Sequence, residues 1–249
     1  MEKQLLNNFI SKYNMDGTVN SVIWSSDGKG KLSTRFISDD KSVIGIVKLL
    51  KDGPDIDNQE IPIFETGNLS KLLGTLGEQI NVEVVTQGQK AIQLKLSDKD
   101  NTKVQFALAD PGVIPTVPKM KYIPDNFEVC IKLTPDKVNT FIKAKSAMSK
   151  VMLVTINTRT EGKSLKAEMI LGDSSDDGVN IDKVIIPVET TKIDSIKKMS
   201  FNADMIKSVL SANKESEAQF EISKEGLARM QFKTEFFETT YFFVAKTDN

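Results

Sequence analysis

One supersecondary unit is written twice in this chain, and that repeat limits its architecture more than any other feature. The first copy runs Ile80-Asn81-Val82-Glu83-Val84, then Ile92-Gln93-Leu94-Lys95-Leu96, then Val104-Gln105-Phe106-Ala107-Leu108-Ala109. The second runs Ala218-Gln219-Phe220-Glu221-Ile222, then Met230-Gln231-Phe232-Lys233-Thr234, then Tyr241-Phe242-Phe243-Val244-Ala245. Each follows a short helical stripe of apolar residues, Leu69 to Leu76 or Met205 to Leu210. Units repeated in this way stack side by side and extend into arrays or rings. The pattern points to a shaped, repetitive surface rather than a single catalytic pocket.

The segments between the copies follow the same order in both halves. Leu5, Leu6, Phe9, Ile10 and Tyr13 fall at helical spacing and predict a helix over residues 4–13. Strands are expected at 19–24, 32–37, 43–50 and 61–64, the first two joined by the turn signal Asp27-Gly28-Lys29-Gly30. Residues 66–76 return to helix. Pro111, Pro115 and Pro118 then interrupt both periodicities, since proline has no N–H for a central strand or helix interior. The expected organisation is a first domain over 1–110, an extended connector over 111–124 and a second domain over 125–249. In the second half a strand over 127–133 leads to a helix capped by Thr134, with Pro135 at its first position. Strands at 152–158, 164–171 and 183–188 follow, and Asn202 caps a helix reaching about Ala212. The fold class is α+β: two repeated domains, each with two helices lying on antiparallel sheet.

Composition removes whole classes of chemistry. The chain has no histidine and one cysteine, Cys130. Ser–His and Cys–His catalysis, histidine-ligated metals and thiolate zinc clusters are therefore excluded, and neither catalytic residues, metal nor cofactor is expected. With 33 basic and 34 acidic residues, any nucleic-acid contact must come from local clustering of charge. No apolar run approaches membrane-spanning length, and residues 1–5 lack the layout of a signal peptide, so a cytoplasmic protein with no membrane partner is expected.

Several motifs have a bland reading that serves better. Asp173-Ser174-Ser175-Asp176-Asp177-Gly178 opens like a calcium loop, but its twelfth position is Val184 instead of a bidentate glutamate. Gly28-Lys29-Gly30 lacks the spacing of a phosphate loop. Asp39-Asp40 reads as a solvated turn. Trp24, Phe236, Phe237, Phe242 and Phe243 offer faces for nucleobases, yet strand alternation makes at least half of them core.

The helices are more informative. Lysines sit off the apolar stripes, at Lys3 and Lys12, at Lys71, at Lys137, Lys143 and Lys150, and at Lys207 and Lys214, whereas acids gather in loops such as 52–60 and 173–182. Each face alone reads as ordinary solvated helix. Combined with the repeat, they can line one common surface that attracts phosphates without reading sequence.

Three segments resemble the DNA sliding clamps, the ring-shaped polymerase processivity factors. Phe220 to Phe232, ending in Tyr241-Phe242-Phe243-Val244-Ala245-Lys246, resembles the last strands and tail of clamps. Tyr122-Ile123-Pro124-Asp125-Asn126-Phe127-Glu128-Val129-Cys130-Ile131-Lys132 resembles the end of their interdomain connector and the strand after it. Leu5-Leu6-Asn7-Asn8-Phe9 and Ala107-Leu108-Ala109-Asp110-Pro111 are similar to the T4-type bacteriophage clamp in particular. Like that type, and unlike the eukaryotic one, the chain opens directly on a helix.

The resemblance implies a ring with paired helices facing a central hole. Clamps close with six domains, so two per chain imply a homotrimer, with residues 103–109 of one subunit against 183–188 of the next. It implies a non-enzymatic role in DNA replication: encircling duplex DNA, tethering a DNA polymerase, and being opened by a clamp-loader ATPase. The lysines named above would face DNA. A partner peptide would dock in a groove walled by Ile37, Val43, Ile123, Pro124, Phe243, Ala245 and Lys246. The rival readings are a non-ring DNA-binding processivity subunit, a phage structural or assembly protein of repeated β-rich domains, and a carboxylate-only enzyme such as a glycosidase, for which the sequence offers no acidic aromatic cleft.

Overall fold

The computed structural model describes residues 1–120, 122–162, 164–174 and 182–246. The chain divides into two compact units. One comprises Met1–Pro118 with Thr234–Thr239; the other runs from Lys119 to Lys233 and resumes at Thr240.

The first unit opens on helix α1 (Lys3–Asn14), which buries Leu6, Phe9, Ile10 and Tyr13. Strands β1 (Val22–Ser26), β2 (Leu32–Ile37), β3 (Val43–Leu49) and β4 (Glu60–Ile63) form an antiparallel sheet in the order β4-β1-β2-β3. The turn between β1 and β2 is the one expected: the Asp27 carboxylate accepts from the backbone N–H groups of Lys29 and Lys31, and Gly28 and Gly30 both take positive φ. Alternation along β1 to β3 turns Val22, Trp24, Leu32, Phe36, Val43 and Val47 inward. Phe36 stands opposite Gly45, and its ring takes the space where a Cβ at Gly45 would lie only 2.0 Å away. The core is aromatic: Phe9 and Trp24 meet edge to face at 5.6 Å, and the Trp24 indole N–H donates to the Tyr13 hydroxyl at 3.1 Å. Helix α2 (Thr66–Leu73) packs against α1 and leads into a second sheet, β5 (Ile80–Gln87), β6 (Lys90–Asp98) and β7 (Lys103–Ala107).

The second unit holds β8 (Val129–Leu133), α3 (Pro135–Ala147), β9 (Leu153–Glu161), β10 (Ser164–Gly172), β11 (Lys183–Ile193), β12 (Met199–Asn202), α4 (Ala203–Ala212), β13 (Ala218–Ile222), β14 (Leu227–Lys233) and β15 (Phe237–Val244). The first residues of β15 count with the first unit. Both expected caps are made. The Thr134 hydroxyl accepts from the Lys137 N–H, with Pro135 at the first helical position, and the Asn202 side chain accepts from Asp204 and Met205. Residues 175–181 of the loop between β10 and β11, and with them most of the calcium-like motif, lie outside the described residues.

The repeat extends further than the sequence alone indicates. The order β12-β9-β10-β11 reproduces β4-β1-β2-β3, and β13-β14-β15 reproduces β5-β6-β7. Even the ends of the two copies match. The N–H groups of Leu108 and Ala109 donate to Ile92 and Pro62, while those of Ala245 and Lys246 donate to Gly226 and Ser200. The difference is β8, which pairs with β13. In the first unit Met1 to Lys3 take that place beside β5, through Ile80 N–H to Met1 O at 3.0 Å and Lys3 N–H to Glu78 O at 2.7 Å. A full strand in one unit is three paired residues in the other.

Candidate functional site

The helix pairs segregate charge. Helices α1 to α4 together carry seven lysines and two aspartates, in a chain whose net charge is −1. Both aspartates, Asp136 and Asp204, stand in first turns, where a negative charge complements the helix dipole.

The individual lysines differ. Lys71, Lys143, Lys150 and Lys214 are exposed, and Lys137 and Lys207 are half-buried. Lys71 and Lys143 point away from the buried stripes, which run through Leu69 and Leu73 on α2 and through Phe141 and Lys145 on α3. Lys3 is committed elsewhere: its ammonium donates to the Leu76 carbonyl, tying α1 to the segment after α2. Lys12 departs from the expected solvent-facing role. It is 7% exposed, and its ammonium lies 5.0 Å from the centre of the Phe237 ring. Burial pulls its pKa down to about 8. The physical reason is position: Lys12 is next to Tyr13 and three residues from Phe9, on the shoulder of the buried stripe. Lys145, which no pattern in the sequence marks, is 2% exposed and paired with Asp204 at 2.7 Å.

The expected partner groove is resolved residue by residue. In the first unit Ile37 lines a cleft of about 270 Å³ between the face of β1 and β2 and the proline segment 111–117. Val43 does not; its side chain is fully buried on the inward face of β3. The segment over the cleft begins with a single 3₁₀ turn, Pro111–Val113, capped by the Asp110 carboxylate, and then runs without regular structure. Ile114 anchors it at 7% exposure, and the Arg35 guanidinium donates through Nη2 to the Pro118 carbonyl at 2.6 Å.

In the second unit Ile123 is 41% exposed and Pro124 is buried. Tyr122 and Val244 are each about 60% exposed. Lys246 is exposed, with its backbone pinned to Ser200, and Ala245 is half-buried. Phe243 is 2% exposed and packs edge to face on Phe220 at 6.3 Å, so its ring is core rather than an open wall. Trp24, Phe237 and Phe242 are likewise buried, which leaves them no face for nucleobases.

Two strand edges stay open among the described pairings. β7 pairs only with β6. Within β11, residues 183–188 pair with β10, whereas contact with β8 begins only at Glu189. Near β7, a cavity of about 290 Å³ is lined by Phe64, Leu72 and Phe106, with Phe64 46% exposed. Among the described residues no cluster of three acidic or cysteine side chains could hold a metal, and no helix is long and apolar enough to cross a membrane.

By sequence, no family model and no curated protein matches the chain. Solved structures do. The proliferating cellular nuclear antigen (PCNA) of Entamoeba histolytica superposes with a TM-score of 0.73 at 14% identity, over 99% of this chain and 96% of that one. PCNA of A. fulgidus, solved with the C-terminal region of FEN-1 bound, gives 0.73 at 16% identity, over 100% and 98%. The PCNA2–PCNA3 complex of Sulfolobus tokodaii gives 0.71 at 9% identity, over 100% and 98%. The chain therefore has the PCNA-like clamp fold, α+β with repeated domains, as the sequence resemblance implied.

Proposed function

We propose that this chain is a DNA sliding clamp: a non-enzymatic homotrimeric ring that encircles duplex DNA and tethers a DNA polymerase as a processivity factor. The observation that carries the reading is the segregation of charge on this fold. Lys71, Lys137, Lys143 and Lys207 stay exposed or half-buried on the helices against two first-turn aspartates, one of them paired with Lys145, which marks those elements for a polyanion in a chain with no net positive charge. Lys71, Lys137, Lys143, Lys150, Lys207 and Lys214 are the DNA-facing set. Flexible ammonium groups touching phosphates hold the duplex without reading its bases, which permits sliding. The open edges of β7 and of residues 183–188 in β11 would pair between subunits, removing two exposed strand edges per chain. A clamp-loader ATPase would supply the energy for ring opening. The partner that tethers through the connector and tail would present a short peptide with apolar anchors.

Two measurements test this. Light scattering behind size exclusion should return three times 27.6 kDa. Clamp loaded by its loader should stay on nicked circular DNA through a high-salt wash and be lost once the circle is linearised. A monomer at every concentration that nevertheless stimulates a polymerase would favour the non-ring processivity subunit instead.

A further inference from the structure

The repeat leaves one place in the first unit unfilled. In the second unit β8 lies between β11 and β13 and pairs with β13 from Val129 opposite Ile222 to Leu133 opposite Ala218. The counterpart of β13 is β5, where Met1 faces Ile80 as Leu133 faces Ala218. Among the described pairings nothing stands beside Asn81 to Val84 on that side, where the second unit has Lys132 to Val129. This third stretch of open edge is short but well defined. The Ile80 N–H donates to the Met1 carbonyl at 3.0 Å, and the Ile80 carbonyl accepts from the Met1 ammonium at 2.9 Å. Backbone groups alternate in direction along an antiparallel strand, so Val82 and Val84 also turn N–H and C=O to this edge, while Asn81 and Glu83 bond to β6. Between Asp52, after β3, and Gln79, before β5, lies a cavity of about 510 Å³ lined also by Leu5 and Phe237. In the second unit β8 itself fills the corresponding place between β11 and β13.

We propose that the β5 edge at Val82 and Val84 accepts an extended segment of a partner protein as an added antiparallel strand, one that alternates β-branched apolar residues with lysine or arginine. The inference rests on the repeat and does not depend on the clamp reading. Two N–H and two C=O groups are on offer, the currency of strand addition. Side chains opposite Val82 and Val84 would point to the inward face, as Ile131 and Val129 of β8 do, and those opposite Asn81 and Glu83 would point to solvent. The charge at this edge selects the second kind. Glu2, Asp52, Glu78 and Glu83 are all exposed there, with Glu83 across from Lys95 of β6 and Lys3 committed to the Leu76 carbonyl. β8 shows the same choice: Lys132, at the matching outward position, pairs with Glu217 at 3.1 Å. A second copy of β5 is the poorer occupant, because it would bring two Glu83 side chains together.

The test uses the full-length chain and an end-blocked peptide of alternating valine and lysine, about seven residues long. Amide exchange followed by NMR should show Val82 and Val84 open in the free chain and protected about tenfold or more by the peptide, with Asn81 and Glu83 unchanged. Val84→Pro removes one edge donor at a position where an edge strand tolerates proline, and should weaken the peptide about tenfold by fluorescence anisotropy. Glu83→Lys should weaken the same peptide and strengthen one of alternating valine and glutamate. If Val84→Pro lowers the melting temperature, Glu83→Lys decides, since that side chain is exposed. Protection of Val82 and Val84 in the free chain, no added protection at millimolar peptide, or equal binding of the glutamate peptide to the unaltered chain overturns the site. Protection that appears with chain concentration alone, together with a doubled mass, assigns the edge to a second copy and overturns it too. None of these outcomes touches ring formation or retention on circular DNA, so the clamp reading stands or falls separately.

Discussion

The Lys145 ammonium sits 2.7 Å from the Asp204 carboxylate, joining the last turn of α3 to the first turn of α4. The pair is unequal. Lys145 is 2% exposed on its side chain and Asp204 is 49% exposed, so one charge is desolvated and the other is still wetted. Lys145 also donates to the Ser149 carbonyl at 3.2 Å.

That inequality predicts which substitution costs more. Asp204→Ala leaves a buried ammonium with a carbonyl as its partner, and also removes a favourable charge at a helix start. Its cost should be about 2–3 kcal/mol. Lys145→Met keeps the stem's packing and frees a carboxylate that water can solvate. It should cost less, about 1 kcal/mol. Urea midpoints of the two variants check the order; equal losses would mean that the unequal burial of the two charges does not set the cost.

Lys12 should tie stability to alkaline pH. Its folded pKa of about 8 lies below the ordinary lysine value of 10.5. The folded state therefore binds fewer protons than the unfolded chain between those values, and this group's penalty is fully present below pH 8. Stability from this source rises as pH goes from about 8 to about 10.5, where the amine is neutral in both states. The Phe237 ring offsets part of the cost at neutral pH. Lys12→Met should gain roughly 1–3 kcal/mol at pH 7 relative to the parent, with the advantage fading by pH 10.5. Thermal melts of both proteins across that range are the measurement.

Lys143 and Lys207 carry the prediction for DNA. Changing Lys143 and Lys207 to Glu should leave the fold and trimer intact, because neither side chain is buried. It should weaken DNA-dependent polymerase stimulation and flatten its salt dependence by roughly one unit of log–log slope per lost phosphate contact. Lys12→Glu should fail differently, by unfolding the first unit. If the surface pair leaves stimulation unchanged at every salt concentration, the helices do not face DNA.

Much of the fold was legible because local chemistry agreed with the tertiary result. Thr134-Pro135 and Asn202 start their helices at the positions their side chains dictate, and β2 and β13 have the bounds their alternation gives. Strand β12 was not legible. Within Met199–Asn202 only Phe201 is buried, and the segment is a strand because it pairs with β9, a contact remote in sequence. The site was read less well for a related reason. Lysine is ordinarily a surface residue, but Lys12 and Lys145 lie on or beside buried stripes, where a long stem packs and the ammonium finds a ring or a carboxylate. The inward face of β3, shared by Val43, Val47 and Leu49, carries no such signal: Ile44 and Ile46 make the opposite face apolar too, and only the observed burial turns Val43 inward.

The partner surface is best tested through Ile123, because Phe243 cannot report on it. Phe243 is 2% exposed and held against Phe220, so Phe243→Ala should cost about 3–5 kcal/mol and lose function by unfolding. Ile123 is 41% exposed in a segment without regular structure, and its replacement disturbs no buried contact of that kind. Ile123→Glu should therefore leave the melting temperature within about half a kcal/mol of equivalent stability. It should leave the trimer and its retention on circular DNA intact, and remove processive synthesis, because a carboxylate now stands where an apolar anchor would lose its water. Lys246→Glu should act in the same direction more mildly, since that side chain is exposed and only its backbone is pinned to Ser200. The assay is product length on a primed circular template with excess trap. Long products from an Ile123→Glu ring that forms and loads normally would place the docking surface elsewhere on the molecule.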